Sequence, residues 1–234
     1  MVFPGVAAHN TRVIYAPIAL PFFLLLLALL AVFVFVVELE VLAYAYRKIG
    51  VRPRYVFALL LLSLVGSHVN IPLYAVPVAH VSTAREVSMF GWTYVVPGMI
   101  EKGVTVVAIN VGGAVIPILL SLYLAVRSRM YWRMLIGIAI VAALVHSWAR
   151  IEPGLGIAVP IFLPPLIAAG VGLLLAFRRA PPLAYVAGSM GTLIGADLLN
   201  LDKIERLAAP IVSIGGAGTF DGVFLTGIIA GLLA

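Results

Sequence analysis

Apolar residues fill this chain in long runs, and short polar stretches separate them. Seven runs approach the length of about 20 residues that a helix needs to cross a hydrocarbon core. They cover 14–46, 56–80, 103–126, 134–149, 156–177, 182–200 and 210–234. The fourth is short, and the second and seventh are interrupted by proline or glycine. The pattern predicts an all-α polytopic membrane protein with about seven transmembrane helices, forming a single domain over 1–234. The interruption Gly215-Gly216-Ala217-Gly218 predicts a broken or re-entrant segment at 211–222, because successive small residues favour an unwound backbone. The first run is too long for a signal peptide and no small-residue cleavage site follows it, so it is read as a retained helix.

Charge falls in the connections, and it alternates. Loop 47–55 carries Arg47, Lys48, Arg52 and Arg54; loop 127–133 carries Arg127, Arg129 and Arg133; loop 178–181 carries Arg178 and Arg179. The other connections balance their charges: Arg85 and Lys102 with Glu86 and Glu101, Arg150 with Glu152, and Lys203 and Arg206 with Asp202 and Glu205. The positive-inside rule puts the first three in the cytoplasm. It predicts a multi-pass cell-membrane protein with its N-terminus outside and its C-terminus inside. The longest connection, 81–102, holds Phe90, Trp92 and Tyr94, which suit an interfacial anchor and a short helix on the outer surface.

Composition agrees with this reading. The chain is 64% hydrophobic and 10% charged, against about 25% charged in soluble domains. No soluble domain of useful size fits between the runs. The net charge of +6 resides in short loops, so the partner it implies is the lipid bilayer and not nucleic acid. Cysteine is absent, which excludes disulfides, thiolate nucleophiles and cysteine metal sites. Glutamine is also absent and asparagine occurs four times. Such depletion fits a thermophilic source, although membrane composition alone produces it too. No cofactor is expected, and the sequence does not specify an oligomeric state.

The expected topology orders the polar residues by depth. His68, Asn70, Asn110, His146, Asp197, Asn200 and Asp221 all fall between the outer surface and the middle of the bilayer. Asp197 and Asp221 are 24 residues apart, on either side of the glycine break. A charged side chain at membrane depth is expensive and usually marks function. Thr219 suits a helix N-cap, which puts Asp221 in the first turn at the positive end of the dipole. Asp197 follows Gly195-Ala196 near a helix C-terminus, where the dipole has the opposite sign. Two carboxylates in opposed environments divide acid and base roles.

Three chemistries follow. The first is peptide hydrolysis, with Asp221 as ionised base, Asp197 as protonated acid, and a membrane peptide as substrate. Asn70 and Asn110 would then orient the substrate backbone. The second is transport of a proton or inorganic cation, with Asp221 as ion site. The oxygens of Asn70, Asn110 and Asn200, and the backbone at Gly215, Gly216, Gly218 and Thr219, serve either chemistry as substrate- or ion-binding groups. The third is a metal-dependent reaction at His68 and His146; no HExxH or i, i+4 histidine pair supports it, so no metal site is expected. A purely structural reading also exists: Asp197 pairs locally with Lys203 or Arg206, the glycines serve helix packing, and Asn70 and Asn110 join helices.

INVGGA at 109–114 and VSIGGA at 212–217 form a weak internal repeat, which chance or shared use of small residues explains equally well. The stretches NVGGAVIPILLSLYL, GTLIGADLLNL and SIGGAGTFDGVFLTG resemble the signature of a prokaryotic polytopic membrane family of unknown function, over most of 60–234. That resemblance implies a membrane fold and the position of the site, and no reaction. The aspartate pair also resembles, loosely, that of the GxGD intramembrane aspartyl proteases. Here Ile194 and Ala196 stand where that motif has its two glycines, Phe220 replaces the tyrosine before aspartate, and no Pro-Ala-Leu motif occurs.

Overall fold

The computed structural model describes residues 19–78, 85–89, 92–96, 103–152, 156–207, 209–216 and 222–234. The chain divides into two units, Met1–Val41 and Leu42–Ala234. The described part of the first unit is the beginning of helix α1 (Ala19–Lys48). Its leucines, valines and phenylalanines are exposed almost without interruption, the surface expected of a helix solvated by lipid.

The second unit is where the expected run of helices changes. Run 56–80 becomes helix α2 (Pro53–Gly66) followed by strand β1 (Asn70–Val78). Run 103–126 becomes strand β4 (Gly103–Asn110), a π-helical turn Val111–Val115 and helix α3 (Ile116–Ser128). Run 210–234 becomes strand β7 (Ile211–Ile214) and helix α7 (Gly222–Leu233). The fold is therefore a predominantly helical membrane protein with strands. The reason is local. The stretches GVTVVAI and IVSI are β-branched, and stiff χ1 rotamers favour the pleated backbone. In β1, Pro72 and Pro77 cannot continue a helix.

The three strands form one sheet in the order β1-β4-β7. β1 and β4 are antiparallel, from Asn70 opposite Asn110 to Val78 opposite Gly103, with a bulge between Pro72 and Tyr74. Proline is tolerated there because β1 is an edge. β7 lies parallel to β4, with Ile109 opposite Ile214. Connection 81–102, expected as a surface helix, holds a hairpin of β2 (Arg85–Met89) and β3 (Trp92–Val96). Phe90 lies outside the described residues. A second small hairpin, β5 (Arg150–Glu152) with β6 (Gly156–Ala158), joins the helices on either side.

Among the described residues, four helical stretches are long and apolar enough to cross a membrane: Leu20–Lys48, Val111–Ser128, Tyr131–Trp148 and Leu163–Lys203. The last is not straight. Ala176 and Arg179 leave helical geometry (φ −151 and −133) around the short turn Phe177–Arg179. Gly172 then faces Ala184 and Gly188 faces Ala168, so α5 (Leu163–Ala176) and α6 (Ala180–Thr192) lie antiparallel. Helix α6 is the centre of this unit, buried from Leu183 to Ser189. Helix α7 runs antiparallel to it, with Gly227 on Tyr185 and Ser189. Helix α4 (Tyr131–Trp148) runs parallel to it, with Gly191 against Val141 and Gly195 against Ala142. Small residues let these helices approach at backbone distance, the usual source of helix association where lipid removes the hydrophobic drive.

Candidate functional site

The end of α2, the start of β1 and the ends of β4 and β7 come together around Asn110, the last residue of β4, which is fully buried. Its extended backbone (φ −79, ψ 131) makes it the N-cap of the π turn, and its Oδ1 accepts the Gly113 N–H at 2.7 Å. Its Nδ2 donates to the Ser67 carbonyl at 2.7 Å, where α2 has just ended, and to Asn70 Oδ1 at 3.0 Å. Ser213 Oγ, from β7, donates to the same Asn70 oxygen at 2.6 Å. The Val111 N–H closes the junction on the Val69 carbonyl at 3.0 Å. One asparagine thus satisfies backbone groups that two interrupted helices leave open, which matters most where water is excluded.

The glycine pairs complete the junction. Gly215 and Gly216 both have φ near +82, a region in which glycine alone carries no steric cost. A side-chain carbon on Gly113 would collide with the Gly215 carbonyl, and one on Gly215 would meet Ala114 N and Cβ at 2.6 Å. Residues 109–114 and 212–216 therefore lie side by side, with their strands parallel. Pairing sets Ile109 against Ile214, whereas motif alignment sets it against Val212. That shift of two residues keeps each side chain on its own face.

Asp197 is tied to the same place. Its Oδ2 accepts the Gly215 N–H at 2.7 Å, so the half-buried carboxylate sits at the end of β7. It closes a second π-helical turn, Leu193–Asp197, and the chain tightens into 3-10 geometry from Leu198. Single π turns are frequent at functional sites. Asn200, also buried, donates through Nδ2 to the Gly195 and Ala196 carbonyls at 3.2 and 2.8 Å. Lys203 Nζ donates to Asn200 Oδ1 at 2.8 Å, which fixes the orientation of the amide. His146 Nδ1 lies 3.2 Å from the Gly195 carbonyl and 3.3 Å from Asn200 Nδ2. One nitrogen serves only one of these. Protonated, it donates to the carbonyl; unprotonated, it accepts from Asn200.

Of the residues expected at a site, Asn70, Asn110, Asp197, Asn200, Gly215, Gly216 and His146 belong to this connected group. Asp221, Gly218 and Thr219 lie outside the described residues. His68 is exposed near the end of α2, and no three His, Asp or Glu side chains gather as a metal centre among the described residues. Sequence reasoning passed over Ser67, Ser213 and the part Lys203 plays for Asn200. Ser213 takes the place of Asn110 when VSIGGA is aligned with INVGGA, and that correspondence was the available signal. A further polar group lies within the bundle: the hydroxyls of Tyr46, Ser63, Ser121, Ser189 and Thr192 are buried without full hydrogen bonds among the described residues. Ser63 lies beside Tyr46, and Ser189 beside Tyr185.

Residues 64–233 match the family described as Protein of unknown function (DUF1614), and the chain belongs to that family. The matched region contains the whole junction and excludes α1. No curated protein and no solved structure matches the chain.

Proposed function

We propose that this chain is a membrane-embedded peptide hydrolase whose centre is Asp197 with Asp221. The observation that carries this reading is the Gly215 N–H donated to Asp197, which holds a carboxylate at the end of β7, an edge strand of the sheet. An extended peptide adds to a sheet edge through main-chain hydrogen bonds, with alternate side chains on each face. Added along β7, it presents a backbone carbonyl beside Asp197. The two aspartates then share one proton, as close like charges require. One takes a proton from water, whose oxygen attacks the carbonyl carbon, while the other protonates the carbonyl oxygen. Collapse of the tetrahedral intermediate returns a proton to the leaving nitrogen. Asn70 and Asn110 act as positioning residues, since the Asn110 amide is spent on holding the junction together.

The accompanying topology has seven crossings, three of them part helix and part strand, with the N-terminus outside and the C-terminus in the cytoplasm. Irregular backbone at membrane depth must face protein or a watery cavity, and the hydrogen bonds of Asn110 to Ser67, Asn70 and Gly113 support that reading.

The test uses the purified chain in liposomes with a library of membrane peptides. Cleavage is expected, and Asp197→Asn and Asp221→Asn should each lower it by about 10²–10⁴-fold. Absence of cleavage by the wild type, or cleavage unchanged in either variant, overturns the reading. A second reading, cation transport, is favoured by the discontinuous helices themselves, which frame ion sites in transporters. It predicts ion flux into the same liposomes, lost in Asp221→Asn, with no peptide cut.

A further inference from the structure

The tip of the α5–α6 hairpin and the start of α4 enclose a groove of about 310 Å³, lined by Arg133, Leu175, Ala176, Phe177, Arg178 and Arg179. Three of its six lining residues are arginines. None of them has a carboxylate partner among the described residues. The sequence explains why: residues 103–151 and 153–196 contain no aspartate or glutamate. Glu152 lies past the far end of α4, about 22 Å from Arg133 along the helix axis. Two helices also begin at the groove, α4 at Tyr131 and α6 at Ala180, with no acidic residue in either first turn. Their positive dipole ends add to the arginines and favour an anion.

The groove is not purely polar. Leu175 forms part of its wall, Phe177 is 80% exposed at its rim, and Leu174 and Trp132 beside it are 86% and 79% exposed. A cationic pocket continuous with exposed apolar side chains matches a molecule that is anionic at one end and apolar at the other. Arginine suits phosphate in particular, because its planar fork makes paired hydrogen bonds to two oxygens.

We propose that this groove binds the phosphate of an anionic phospholipid headgroup, with the acyl chains lying along Phe177, Leu174 and Trp132. Phosphate chemistry is common to lipid and free phosphate, so the experiment separates the two. The full chain in a neutral detergent is titrated with dioleoylphosphatidylglycerol, dioleoylphosphatidylcholine and inorganic phosphate, and bound species are counted by native mass spectrometry. Phosphatidylglycerol should bind about tenfold or more tightly than phosphatidylcholine, and inorganic phosphate should not displace it. R133Q/R178Q should weaken phosphatidylglycerol binding by a similar factor while leaving phosphatidylcholine unchanged. R133K/R178K, which keeps the charge and loses the fork, should fall between them, and melting in the same detergent identifies a variant that fails to fold. Equal retention of both lipids, or phosphatidylglycerol binding unchanged in R133Q/R178Q with R133K/R178K also at the wild-type level, overturns the proposal. Displacement by inorganic phosphate overturns the lipid as the source.

Discussion

At the scale of single residues, polar groups in this protein fall into two kinds, and stability measurements separate them. Asn110 is fully engaged. Asn110→Ala removes an N-cap and leaves the Ser67 carbonyl and the Gly113 N–H without their partner. It should cost about 2–4 kcal/mol in denaturant unfolding in mild detergent. Thr192 is the opposite case, a buried hydroxyl with no partner among the described residues. Thr192→Val keeps the shape and removes the unpaired group, so stability should rise by about 1 kcal/mol. Gly215→Ala brings a methyl group against Ala114 at a positive φ; a loss of about 2–5 kcal/mol is expected in the same assay. Asp197 and its glycine-rich neighbour were legible in the sequence, because a carboxylate and a run of small residues are unusual in an apolar chain. The hydrogen bond between Asp197 and Gly215 was not, since it joins backbone to side chain across two elements.

Among elements, the helix–strand junctions are what the apolar pattern concealed. A continuous apolar run reads alike as buried helix and buried strand. The β-branched content of GVTVVAI and the prolines of β1 were the discriminating signals. Where helices do form, their packing follows small residues, and α6 meets α4, α5 and α7 through Gly191, Gly188 and Gly227. The C-terminus of α7 is held differently. Lys48 Nζ, at the end of α1, donates to the Leu232 carbonyl at 2.6 Å, a cation on the negative end of a helix. Lys48→Met should speed amide hydrogen exchange in the last turn of α7, with a local cost of about 1 kcal/mol. Exchange unchanged at 228–234 would show that the contact does not hold that turn.

For the molecule as a whole, the absence of cysteine allows a direct test of topology. Single cysteines replacing Ser128 and Arg179 should react with a membrane-impermeant maleimide from the same face, the cytoplasmic one. A cysteine replacing Asp202 should react from the opposite face. Labelling of all three from one face would reject the alternation of the loops. By itself the sequence determined that this is a helical membrane protein, which connections carry positive charge, and that two aspartates flank a glycine-rich break. These follow from composition and local periodicity, properties that each segment carries alone. Only the tertiary structure decided that three apolar runs turn from helix to strand, that two glycine pairs touch, and that Asn110 and Asp197 hold those turns together. Each of these depends on contacts between residues distant in the chain, with Asn110 reaching back to Ser67 and Asp197 forward to Gly215. Periodicity within a segment carries no record of such partners.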